Sequence, residues 1–117
     1  ALANNNYAYS LSERKIHLDR AQSMIEKALQ SEPKNPSYLD TMGWILFQRG
    51  EYKKSLEYIL QAIEHGEVSA TIYEHLGDAY QKIGDKDKAM QAWREALRKD
   101  PNRMSLKERL SNDTANK

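Results

Sequence analysis

Three histidines, His17, His65 and His75, are the side chains best suited to proton transfer or metal ligation near neutral pH. No two of them are three or four residues apart, so no helix can aim two imidazoles at one ion. His75 has Glu74 and Asp78 close by on one predicted helix, a grouping that solvated surface carboxylates produce far more often than a metal site does. Asp85-Lys86-Asp87-Lys88 alternates acids with bases and lacks the loop that a calcium ion needs. With no Cys, the chain has no disulfide, thiolate ligand or Cys nucleophile. It also has no glycine-rich phosphate loop, nucleophile elbow or zinc-protease helix motif. These residues predict neither a catalytic site, a metal site nor a cofactor, and an enzyme is not expected.

The elements that would position any site must come from 117 residues, 39% hydrophobic and 30% charged. That is one domain's worth of chain with enough apolar material for a single layered core. The 18 Lys and Arg nearly balance the 17 Asp and Glu, which argues against a partner recruited by bulk charge such as a nucleic acid. No apolar run approaches the ~18 residues of a membrane span. The start, Ala1-Leu2-Ala3-Asn4-Asn5-Asn6, has no initiator Met and no signal-peptide pattern, so a piece of a longer protein is expected, cytoplasmic or periplasmic.

A period organises the rest. Gly43 and Gly77 lie 34 residues apart, as do Gly50 and Gly84. The same offset pairs Met42 with Leu76, Leu46 with Tyr80, Ile59 with Trp93, Ala62 with Ala96 and Ile63 with Leu97. Within one period, Leu39, Met42, Ile45 and Leu46 form a 3.6-residue face over about 37–49. Gly50 ends that helix in a left-handed C′ conformation, and a second helix follows over about 51–64. The next period predicts a helix over about 70–83, a turn at Gly84-Asp85 and a helix to Lys99, with Asp85 as N-cap and Pro101-Asn102 as stop. Earlier, about 19–31 fits a second helix, with Ala21, Ile25, Ala28 and Leu29 in register. Ala8, between Tyr7 and Leu11, fits the small position of a first helix, with one residue inserted in the turn over 12–17. A polar-backed helix over about 102–110, carrying Met104, Leu106 and Leu110, would cover the last open face.

In Leu39-x-x-Met42-Gly43-x-x-Leu46 with Ala62, and in Tyr73-x-x-Leu76-Gly77-x-x-Tyr80 with Ala89, Trp93, Ala96 and Pro101, the chain resembles the tetratricopeptide repeat family over about residues 1–110. It departs from the family pattern at Ser55, where alanine is usual, and at Glu67, where proline is usual. The style of the repeats, Asn4 to Arg14 included, is similar to arrays in bacterial proteins. The resemblance implies an all-α fold: an α-solenoid of helix-turn-helix units at about 1–35, 36–69 and 70–103, a capping helix at about 102–110, and a flexible tail at 111–117.

In this family the first helix of each pair lines a concave face, the default binding surface. On the register above, that face presents Asn5, Tyr9 and Ser12, then Ser37, Asp40, Trp44 and Phe47, then Thr71, Glu74, Asp78 and Gln81. Trp44 and Phe47 point away from the packing face, and exposed aromatics are favoured anchors. Residues 36–81 carry three positive and seven negative charges (net −4), whereas 82–117 carry ten and six (net +4). The first block suggests an acidic groove for a protein or peptide segment with apolar and basic side chains. The bland readings are that both aromatics pack into the neighbouring repeat, that the acids form a solvated helix face, and that the later Lys and Arg solvate the terminal helices, with electrostatic contact to a neighbour as the lesser alternative. Chaperone-binding members clamp a C-terminal carboxylate with Lys, Asn and Arg, but the corresponding positions here are Asn5, Tyr9, Thr41, Thr71 and His75, so no such ligand is expected. The expected role is a non-catalytic protein-interaction module. The alternative is a structural segment of a longer array giving rigidity or self-association, including homodimerisation through an open end.

Overall fold

The computed structural model describes residues 18–66 and 69–115, with side chains to 111. The chain divides into two compact units, 1–67 and 68–117. The predicted first helix around Ala8, and the inserted turn after it, lie outside the described residues, which are helical with no strand.

In the first unit, α1 spans Leu18–Ser31, α2 Pro36–Gln48 and α3 Tyr52–His65. Ala21, Ile25 and Ala28 are buried along one stripe of α1 and meet Tyr38, Met42, Ile45 and Leu46 of α2. The turn between the two helices is set locally: the Asn35 side chain accepts the Tyr38 N–H at 3.1 Å, and Pro36 opens the helix where no N–H is needed. Helix α2 ends in a Schellman motif. Gly50 has φ +82°, its N–H reaches Phe47 O at 3.0 Å, and the Glu51 N–H reaches Leu46 O at 2.9 Å. Helices α2 and α3 touch where Gly43 has no side chain; a Cβ there would meet Ile59 Cγ1 at 2.7 Å. Ser55 uses the same closeness, donating from its buried hydroxyl to Gly43 O at 2.6 Å. This accounts for a serine in the family's alanine position.

In the second unit, α4 spans Ala70–Lys82, α5 Lys86–Lys99 and α6 Met104–Ala115. Ser69 caps α4 through the Ile72 N–H at 3.2 Å, and Asp85 caps α5 through the Lys88 N–H at 3.2 Å. Gly84, at φ +92°, repeats the Schellman turn, with Gly84 N–H on Gln81 O at 3.1 Å and Asp85 N–H on Tyr80 O at 3.0 Å. Trp93 is wholly buried with Ala89, Ala96 and Leu106, and Tyr73, Tyr80, Leu97 and Leu110 are half-buried against them. A Cβ on Gly77 would lie 2.3 Å from the Trp93 ring. Helix α6 starts two residues later than the sequence suggests and runs five residues past Leu110.

Gly77→Ala should destabilise the chain by about 2 kcal/mol or more, because the wholly buried Trp93 ring would have to shift to admit the methyl. Urea unfolding followed by circular dichroism measures this, and a loss below about 0.5 kcal/mol would show that the ring can yield. Ser55→Ala should cost about 1 kcal/mol, one buried hydroxyl bond, in the same assay; a gain in stability would mean the hydroxyl is a burden.

Candidate partner-binding site

The register residues fall into two chemically different groups, one in each unit, while Asn5, Tyr9 and Ser12 lie outside the described residues. In the first unit, Trp44 and Phe47 are one helical turn apart on α2. Their rings stack with centroids 4.7 Å apart and planes 10° apart. Tyr52 meets Phe47 edge-on at 5.2 Å, which extends the pair into an aromatic cluster. Trp44 and Phe47 are half-buried rather than exposed, because each covers part of the other. Ser37 is exposed, whereas Asp40 keeps only 7% of its surface and is not a solvated acid. Thr41 is buried, its hydroxyl donating to Ser37 O at 2.9 Å.

In the second unit, the acidic face expected on α4 is already engaged by the chain's own arginines. Arg103 donates from Nη1 to Glu74 Oε1 at 2.8 Å, from Nη2 to Thr71 Oγ1 at 2.7 Å and from Nε to Asp100 Oδ2 at 3.1 Å. Arg109, on α6, donates from Nη1 to Glu74 Oε2 at 3.2 Å and to Asp78 Oδ1 at 3.0 Å. Asp78 also accepts the buried Trp93 Nε1–H at 3.1 Å, and the Arg109 guanidinium lies 5.9 Å from the Trp93 ring centre. Two expectations are corrected here. Asp78 is buried because the Trp93 indole and Arg109 close over it, and Arg103 and Arg109 pair with α4 instead of merely solvating the end of the chain. Gln81 is exposed and Glu74 half-buried.

Electrostatics follow from this enclosure. Burial pushes the Asp78 carboxyl above its usual range, opposed by Arg109 and the Trp93 N–H and aided by Glu74. On α5, the hydrogen bond from Arg98 holds Glu95 below its usual value. His75 is buried next to Glu74. Among the described residues no cluster of three His, Asp or Glu side chains is placed to hold a metal, and no helix is long and apolar enough to cross a membrane. Sequence reasoning missed the Arg103 and Arg109 contacts although their trace was visible: the net charge changes from −4 over 36–81 to +4 over 82–117.

The tetratricopeptide repeat model matches residues 6–110. A TPR repeat-containing protein of Pseudomonas aeruginosa is 35% identical over 81 residues, covering 67% of this chain but only 13% of that protein. Among solved structures, the first TPR of Spaghetti, bound to the HSP90 peptide SRMEEVD, has a TM-score of 0.86 at 15% identity, over 97% of this chain and 90% of that one. YrrB, described as a TPR protein with an unusual peptide-binding site, has a TM-score of 0.82 at 20% identity, over 94% and 56%. A thermophilic TPR protein of Thermus thermophilus has a TM-score of 0.75 at 22% identity, over 92% and 59%. With 105 residues matched by the family model, 6 to 110 inclusive, the chain belongs to the tetratricopeptide repeat family.

Proposed function

We propose that the chain is a non-catalytic module that binds a segment of a partner protein on the first helices of its repeats, with Trp44 and Phe47 as the apolar anchor. The fold is generally a protein-interaction module. The observation that carries the finer reading is the stacked Trp44–Phe47 pair, half-buried on a helix whose packing face is already filled by Tyr38, Met42, Ile45 and Leu46. An apolar side chain laid on that platform would bury further area at about 25 cal/mol per Å². The register positions Asn5, Tyr9, Asp40, Glu74, Asp78 and Gln81 belong to the same proposal, with unequal roles. Glu74 and Asp78 already hold guanidinium groups, so a basic partner residue would have to displace Arg103 or Arg109. Asp40 and Asp78 are buried, Asp78 against Trp93 and Arg109, which leaves both little surface for direct contact. A carboxylate-clamp ligand is not proposed: Asn5, Tyr9, Thr41, Thr71 and His75 stand at the positions of its Lys, Asn and Arg residues, and Thr71 is taken by Arg103.

A second reading is a structural segment of a longer array whose ligand binds elsewhere. The length of the Pseudomonas relative, of which this chain spans 13%, favours it. The two readings part at Trp44. Trp44→Ala and Phe47→Ala should change unfolding free energy by far less than Trp93→Ala, which should cost about 3–5 kcal/mol. Both should lose a protein that the native chain retains from an extract of its own cells. Identical captures by variants that melt like the parent would reject the aromatic anchor and favour the structural segment.

Asp78 makes a pH prediction. Its folded carboxyl titrates above the ordinary value of 3.8, so between the two values the folded chain binds more protons than the unfolded one. The stability this contributes is fully present below about pH 4 and is lost as pH rises through the folded value. Measured against Asp78→Asn, which keeps an acceptor for Trp93, the native urea midpoint should fall as the pH is raised above the ordinary carboxyl value of 3.8. A difference that stays flat or grows over that range would contradict the enclosure of Asp78.

A further inference from the structure

We propose that α6 is a lid, held on α4 by Arg103 and Arg109 and able to open while the α4–α5 helix pair stays folded. Its role as a gate rests on the reading above that the first-helix face meets the partner; closed, it covers Thr71, Glu74 and Asp78.

The contrast between the two kinds of contact in the second unit carries this inference. Helices α4 and α5 are joined by a wholly buried Trp93, by Ala89 and Ala96 with no exposed surface, and by the ring seated on Gly77. Among the described side chains of α6, only Leu106 is fully buried in that core. Leu110 is half-buried, and Met104 keeps 64% of its surface exposed. The rest of the hold is polar. Two guanidinium groups make four hydrogen bonds of 2.7–3.2 Å to Thr71, Glu74 and Asp78 of α4. Arg103 and Arg109 remain 29% and 35% exposed, so water and salt reach the latch. A segment held by few apolar contacts and solvent-accessible ion pairs is the part of a fold that opens first. When it opens, Glu74 and Asp78 lose their arginine partners, Asp78 keeps the Trp93 N–H, and the α4 surface becomes available.

Amide hydrogen exchange of the whole chain tests the lid without any partner. In the native chain, amides of 106–110 should exchange at least about tenfold faster than those of 76–79 and 93–96. Arg103→Gln and Arg109→Gln should each speed exchange in α6 by about a further tenfold, the scale of one lost charge-assisted bond, and leave α4 and α5 unchanged. Exchange of α6 in step with α5 in every variant, or no response to either substitution, would overturn the lid. Arg109→Gln leaves Asp78 without its cation and could unfold the unit. Arg103→Gln, which does not touch Asp78, and the native chain compared at low and high salt then decide: salt should accelerate α6 selectively, and uniform or absent acceleration would refute the proposal. Because no partner is involved, the lid fails here independently of the binding reading, which fails at Trp44.

Discussion

Each helix pair is organised by the near-contact of its two backbones at a glycine. At Gly43 and Gly77 an added Cβ would lie 2.7 Å from Ile59 and 2.3 Å from Trp93 respectively, closer than carbon atoms approach. Such proximity is possible only if the opposite helix presents a small residue one turn before a large one, so that the large side chain lies over the glycine. Ser55 and Ile59 do this in the first unit, and Ala89 and Trp93 do it in the second. The Schellman turns at Gly50 and Gly84 then return the chain at the angle this contact needs. Burial of Ala62 and Ala96 further along follows from the same geometry.

The choice of large residue has consequences well beyond the contact. Ile59 is wholly apolar and makes no polar demand on its surroundings. Trp93 brings an N–H into the core, and a buried donor needs an acceptor. Asp78, the residue after Gly77, is the acceptor at 3.1 Å. A carboxylate drawn into that environment needs a cation in turn, and Arg109 of α6 supplies it at 3.0 Å. The docking of the last helix is thus linked, one polar requirement at a time, to the tryptophan on Gly77. The equivalent register position in the first unit is Trp44, the residue after Gly43. Ile59 asks for no acceptor there, so the position can hold an aromatic that stacks on Phe47.

How much of this was legible depended on whether the signal was local or periodic. The 34-residue offset of Gly43 with Gly77 and of Gly50 with Gly84 placed helices, turns and most of the core, because sterics at a glycine and left-handed φ leave few alternatives. Asp85 as a cap and Trp93 as core were readable for the same reason. Hydrogen bonds across 29–35 residues were not, because a repeat register assigns a side chain to a face without saying what approaches that face. Glu74 and Asp78 therefore read as a bare acidic surface, and Arg103 and Arg109 as solvated charge. The burial of Asp78 followed from the indole N–H of Trp93, a demand present in the sequence but expressed only when the two helices are brought together.

The difference between the units bears on how a partner could be recognised. A partner arginine aimed at Glu74 or Asp78 would compete with Arg103 and Arg109, which are tethered to the same chain at an effective concentration of about millimolar or above. Most of the Coulombic gain of a new pair would be offset by breaking the old one. Binding energy gained by such a partner on α4 would therefore be small while Arg103 and Arg109 keep their pairs. On the proposed reading, affinity would come from added apolar area, and the stacked rings of Trp44 and Phe47 offer such a surface. Charge on this chain would then act mainly on whether α4 is accessible, and apolar contact on whether a segment stays bound. That division follows from placing an isoleucine over one glycine and a tryptophan over the other.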